Sequence, residues 1–266
     1  MTTHDWRDHV DAIPPTVLVI GGFMSSPPMY RGLRDLILAR DAASVTIAPI
    51  WLPDWTIATV RGQGAVATRA ARALLDAWSS SAEGPSRGAP VLVVGHSAGG
   101  VLARILTAPR PFAGRKMSGA GLVGAIVTLG TPHMFSVDGR AAQKPGETAR
   151  WANEHVPGPF WAPTTGYLCV SSDAVVGWPD GDAKQRRTDR FYRGVISAPA
   201  GEPIPGDGVV PLAAALLPGI PSIVLHDAEH ANVIAKHWYG DADHVDAWWP
   251  QAVEAWRAAL RARAAG

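Results

Sequence analysis

Short apolar runs rich in β-branched residues recur along the chain, at 17–20, 45–50, 91–94, 125–129, 167–171 and 222–225. Each run is continuous rather than alternating, the pattern of strands covered on both faces. Between several of them the period becomes helical. Leu33, Leu36 and Ile37 share one helical face; Val66, Ala70, Ala73, Leu74 and Ala77 share another; Val101, Leu102, Ile105 and Leu106 cluster on a third. Val245, Trp249, Ala252, Val253, Trp256 and Leu260 mark a last amphipathic helix. Strands alternating with helices predict an α/β fold, a mostly parallel, doubly wound sheet with helices on both faces.

No repeat or long polar linker divides the 266 residues, so a single domain over 1–266 is expected. Two stretches break the alternation. Residues 134–165 mix Gly, Pro, Trp and Phe with no sustained period and form a candidate lid or cap. Residues 174–206, rich in Pro, Gly and charge, read as a loop excursion. Both follow predicted strands at the end where α/β proteins bind ligands.

Composition narrows the function classes. Net charge is +1, and charged residues make up only 18 % of the chain, so no nucleic-acid partner is expected. The one basic clump, 184–187, reads as a solvated loop. Cys169 is the single cysteine, which excludes an internal disulfide framework; its apolar setting predicts an inert buried thiol. The N-terminus lacks an apolar signal core, and no run reaches the roughly 18 apolar residues of a membrane span. The expectation is a soluble cytoplasmic protein whose contact with a membrane surface, where it occurs, is transient.

The candidate chemistry begins at Gly95-His96-Ser97-Ala98-Gly99. A buried strand precedes this G-x-S-x-G pattern and a helix follows it. That strand-turn-helix context makes Ser97 a candidate nucleophile on a strained turn, with Gly95 and Gly99 where side chains would collide. The turn also sets Ser97 at a helix N-terminus, which favours developing negative charge. Acyl transfer needs two backbone donors for the oxyanion. The amide of Ala98, directly after the nucleophile, is one. The Gly21-Gly22 turn after the first strand offers Phe23 as the other, with Met24 second.

A serine hydroxyl needs a base to take its proton. Enzymes with such an elbow supply the acid and then the histidine later in the chain. His230, on the loop beyond the last predicted strand, is the preferred base, with His226 and His237 as rivals. Asp207, in "PGDGVVPL", is the preferred acid to orient the imidazole, and Asp173 is its rival. His96 is read as an orienting neighbour. The irregular spacing of the histidines and carboxylates matches no ligand pattern, so no metal site is expected.

With these residues in order, the sequence resembles the α/β-hydrolase superfamily on its lipase and esterase side. "VVGHSAGG", "VTLGTPH" at 127–133, "GDGVVP" at 206–211 and the late histidine carry the resemblance over about 17–250. "TLGTPH" and "EHANVIAKHWYG" are similar to GPI inositol-deacylase-like lipases, though this chain has Gly21 where many lipases carry a histidine. The resemblance implies a cofactor-free serine hydrolase working through an acyl-enzyme. Acyl transfer, amide cleavage or a non-catalytic binding module on the same fold are the alternatives. Eleven tryptophans, several near the presumed site, suit an apolar acyl ester, and Met24 and Trp161 are candidate substrate contacts.

Overall fold

A computed structural model describes residues 5–81, 86–117, 119–135, 144–231 and 237–266. Six strands, all pairing in parallel, form one sheet: β1 (Thr16–Ile20), β2 (Ser44–Ile47), β3 (Val91–His96), β4 (Val123–Leu129), β5 (Gly166–Ser172) and β8 (Ser222–Leu225), in the order β2-β1-β3-β4-β5-β8. Each of the six apolar runs is one of these strands. β1, β3 and β4 are buried at every residue because both faces are covered.

Successive side chains along a strand point to opposite faces, so each central strand feeds two cores. Leu18, Ile20, Val91, Val93 and Ile126 pack with α2 (Leu52–Arg61), α3 (Gly64–Ser80), α4 (Ala98–Leu106) and α5 (Lys144–His155). Val17, Val19, Leu92, Val94, Val127 and Leu129 face α1 (Arg31–Leu38) and α8 (Ala242–Ala265). The second core rests on Trp248 and Trp256, both fully buried. The Trp256 indole also donates to the Pro90 carbonyl at 2.7 Å. Truncating such a tryptophan to alanine costs roughly 3–5 kcal/mol.

The two irregular stretches contain ordered elements. Within 174–206, β6 (Val175–Gly177) pairs antiparallel with β7 (Ile204–Gly206), and α6 (Ala183–Val195) joins them. The loop reading of this stretch is therefore corrected. Its strands are three residues long, and α6 buries only Thr188, Asp189, Tyr192 and Val195, too narrow a stripe to read as a period. Residues 136–143 of the candidate lid lie outside the described residues. Its helix α5 packs Ala149 and Ala152 into the core, and Val156 just beyond it does the same. There the buried Arg104 of α4 donates to the Val156 carbonyl (2.9 Å), a group the helix end leaves free, and shares the Ala152 carbonyl (3.4 Å) with the Val156 amide. Among the described residues no helix is long and apolar enough to cross a membrane.

Candidate functional site

Ser97 stands between the end of β3 and the start of α4, where its amide donates to the Leu129 carbonyl at 2.9 Å. Its backbone lies at φ 52° and ψ −127°, a conformation that side chains avoid. The strain is enforced by a crossing with no spare room. A Cβ on Gly99 would sit 2.1 Å from the Ile20 carbonyl oxygen, so only glycine lets α4 start this close to β1. The turn lifts the Ser97 side chain to the C-terminal edge of the sheet.

His230 and Asp207 converge on the same edge. His230 Nε2 lies 3.0 Å from Ser97 Oγ, and its Nδ1 lies 2.7 Å from Asp207 Oδ2. A carboxylate can only accept, so Nδ1 donates to Asp207, and Nε2 is the nitrogen that faces the serine hydroxyl. Asp207 is buried, and four donors surround it: His230, the Tyr239 hydroxyl at 2.9 Å, and the amides of Val209 (2.9 Å) and Val210 (2.6 Å). Burial alone would raise its pKa. The charge and hydrogen bond of His230, with the two amides, outweigh burial and hold the carboxyl below its ordinary value. Tyr239 moves the other way, pushed well up by burial and by the Asp207 charge, and so stays a donor. This chain of bonds lets a hydroxyl proton pass to an imidazole while a carboxylate steadies the resulting cation.

The loop after β1 brings the second group of residues. A Cβ on Gly22 would lie 2.7 Å from the Ser97 Cβ, so the glycine permits direct contact with the elbow. The Gly22 carbonyl accepts from the Ser25 amide (3.2 Å) and hydroxyl (2.6 Å). In a trans peptide the next amide, that of Phe23, points the opposite way. Among the described residues neither the Phe23 nor the Ala98 amide meets an acceptor. The Phe23 side chain is exposed and meets Trp55 edge-on, and Met24 beside it is about half exposed.

His96 makes no contact with the Ser97 hydroxyl. Its Nε2 lies 2.7 Å from the His230 carbonyl and its Nδ1 2.8 Å from the Tyr30 hydroxyl. Burial, reinforced by the neighbouring His230 ring, pushes its pKa down to about 3, so it is neutral. Trp238 packs edge-on against both His96 and Tyr30. Tyr30, Tyr239 and Trp238 have no sequence signature, because their partners lie far away in the chain.

The rival residues are elsewhere. Asp173 and His226 pair with each other at 2.9 Å on the surface, and His237 is exposed 3.8 Å from Asp241. Trp161 stands apart from Ser97, His230 and Asp207. Its indole donates to the Thr107 carbonyl, just past the end of α4, and its amide to the Tyr167 hydroxyl near the start of β5. That end of α4 is roughly 13 Å from Ala98 at a rise of 1.5 Å per residue. A cleft of about 520 Å³ near Phe112 and Trp151 likewise contains none of the site residues. Among the described residues no group of three or more His, Cys, Asp or Glu side chains could hold a metal ion.

No protein-family model and no curated protein sequence matches the chain. Solved structures do. The chain is similar to the mature form of the Bacillus licheniformis lipase BlEst2, with a TM-score of 0.59 and 15 % identity, covering 91 % of this chain and 93 % of that one. The propeptide form of that lipase matches with a TM-score of 0.55 and 14 % identity, over 91 % of this chain and 51 % of its own. Thermogutta terrifontis esterase 2, phosphoramylated by tabun, matches at 0.50 and 12 % identity, over 91 % and 81 %. These likenesses lend no support to the narrower resemblance to GPI inositol-deacylase-like lipases. At such identities they speak for architecture: this chain has the α/β-hydrolase fold.

Proposed function

We propose that the protein is a serine hydrolase of carboxylic esters, with Ser97 as nucleophile, His230 as general base and acid, and Asp207 as the orienting carboxylate. The observation that carries this reading is the bonded chain Ser97–His230–Asp207, at 3.0 and 2.7 Å, on a strained strand-to-helix turn. Ser97 Oγ attacks the ester carbonyl as its proton passes to His230 Nε2. The amides of Phe23 and Ala98 hold the oxyanion, and His230 returns the proton to the departing alcohol. Water then gives a proton to His230 and attacks the acyl-serine; collapse frees the acid and restores the hydroxyl. The exposed side chains of Phe23 and Met24 beside the oxyanion loop support an apolar acyl group.

The test is hydrolysis of p-nitrophenyl esters of rising acyl length, together with labelling by a fluorophosphonate. Turnover and a single adduct at Ser97, both absent in Ser97→Ala, are expected. Wild-type protein that neither turns over any ester of the series nor takes the label overturns the proposal. The neighbouring esterase that tabun phosphoramylates makes phosphorus electrophiles a natural choice of probe.

A further inference from the structure

Tyr30 and His96 lie behind the reacting groups, and the hydrogen-bond directions between them are fixed. The His230 carbonyl can only accept, so His96 Nε2 carries the ring proton and donates to it across 2.7 Å. His96 is neutral, so its Nδ1 is a bare acceptor, which the Tyr30 hydroxyl fills at 2.8 Å. With its proton so engaged, the Tyr30 oxygen accepts from the Gly22 amide at 2.8 Å. The result is one directed chain, Gly22 N–H to Tyr30 O–H to His96 Nδ1, then His96 Nε2–H to the His230 carbonyl. One end grips the peptide preceding the oxyanion amide of Phe23. The other grips the main chain of the base. Both side chains are buried, and no water is needed to close the chain.

We infer that Tyr30 and His96 are positioning residues that lock the oxyanion loop and the base histidine into one register across the nucleophile. The inference rests on the hydrolase reading above. It assigns the two residues no proton transfer to substrate: Tyr30, whose pKa burial raises, stays protonated, and His96 keeps one tautomer throughout. A small displacement of either gripped segment matters because reacting atoms tolerate misplacement of about 1 Å poorly.

The test compares wild type, Tyr30→Phe, His96→Gln and His96→Leu. Active serine is counted by fluorophosphonate labelling, and kcat per labelled site and KM are measured with a soluble p-nitrophenyl ester. A trifluoromethyl ketone of matching chain length, whose adduct with serine places an anion on the oxyanion donors, supplies a second readout. Expected for Tyr30→Phe is a fall in kcat per site of at least tenfold, KM within twofold, and inhibition weakened in parallel with kcat/KM. His96→Gln, which keeps an amide donor toward the His230 carbonyl, should retain more turnover per site than His96→Leu. Turnover per labelled serine within twofold of wild type in both Tyr30→Phe and His96→Leu overturns the inference, as does a loss explained wholly by fewer labelled sites. Failure of the hydrolase reading looks different: wild type itself is then unlabelled and inert, and the inference falls with it.

Discussion

Two histidine–aspartate pairs stand at the C-terminal edge of the sheet with almost the same contact distance. His230 and Asp207 meet at 2.7 Å, His226 and Asp173 at 2.9 Å. Their surroundings differ in every other respect. The first pair's side chains are 8 % and 1 % exposed, its carboxylate takes three further donors, and the second ring nitrogen faces a serine. The second pair's are 81 % and 32 % exposed, and among the described residues His226 makes no hydrogen bond to a serine. A hydrogen-bond length therefore says little about chemical use. Exposed pairs exchange partners with water and are worth about 0–1 kcal/mol. A buried pair is held in one geometry, and its polarity is directed at whatever the free nitrogen faces.

Removing Ser97, the proposed nucleophile, is the largest break. Ser97→Ala should lower kcat roughly 10⁴-fold or more in ester hydrolysis, with the fold intact by circular dichroism. The comparison itself is sharpest in paired substitutions of the two acids. Asp207→Asn favours the wrong imidazole tautomer and should lower kcat by roughly 10⁴-fold. Asp173→Asn should leave kcat within twofold. Equal losses in the two variants would mean that the surface pair serves the reaction as well.

Acid separates buried groups from exposed ones on a smaller scale. His96 has a folded pKa of about 3 against 6.5 unfolded. Between those values the unfolded chain holds the proton and the folded chain does not, so stability rises with pH there. This contribution is complete above about pH 6.5 and is lost as pH falls toward 3, at about 1.4 kcal/mol per pH unit. Asp207, its folded pKa depressed, adds stability that is present above its unfolded value of 3.8 and lost as pH falls through the folded one. Urea unfolding of His96→Gln should show a slope shallower by about one proton between pH 6.5 and 4. The same slope as wild type would mean that His96 is not held neutral. The smallest effect is expected at the exposed pair: His226→Ala should change stability in urea unfolding by no more than about 0.5 kcal/mol.

Much of the site was legible in the chain because its chemistry imposes local demands. Ser97 needs a strand before it, a helix after it and glycines around it, and all three leave marks within a dozen residues. Asp207 and His230 follow from order along the chain once Ser97 is chosen. Residues whose role is purely spatial left no such marks. Tyr30 meets His96 across 66 positions and Tyr239 meets Asp207 across 32, so no window on the sequence contains both partners. Trp161 is a different case. Its apolar neighbours look like a substrate wall, yet the group that decides its place is an indole N–H seeking a helix-end carbonyl. The central strands β1, β3, β4 and β5 were clear because both of their faces are buried, and the edge strands β2 and β8, only partly buried, kept apolar β-branched runs. α6 was not, because its outer face carries Lys184, Arg186, Arg187 and Arg190.

The indole of Trp161 also fixes the far end of α4, the helix that begins at the bent backbone of Ser97. A conformation of that kind persists only where its surroundings leave it no way to relax. α4 is the strut that takes the thrust: Gly99 bears on β1 at one end, Arg104 ties its flank to α5, and Trp161 is pinned just past the other end. The helix that begins at Ser97 is thus held at both ends and along its flank. Substitutions that tighten the brace around Thr107 and Trp161 offer a way to stiffen the elbow without altering any group that faces the substrate.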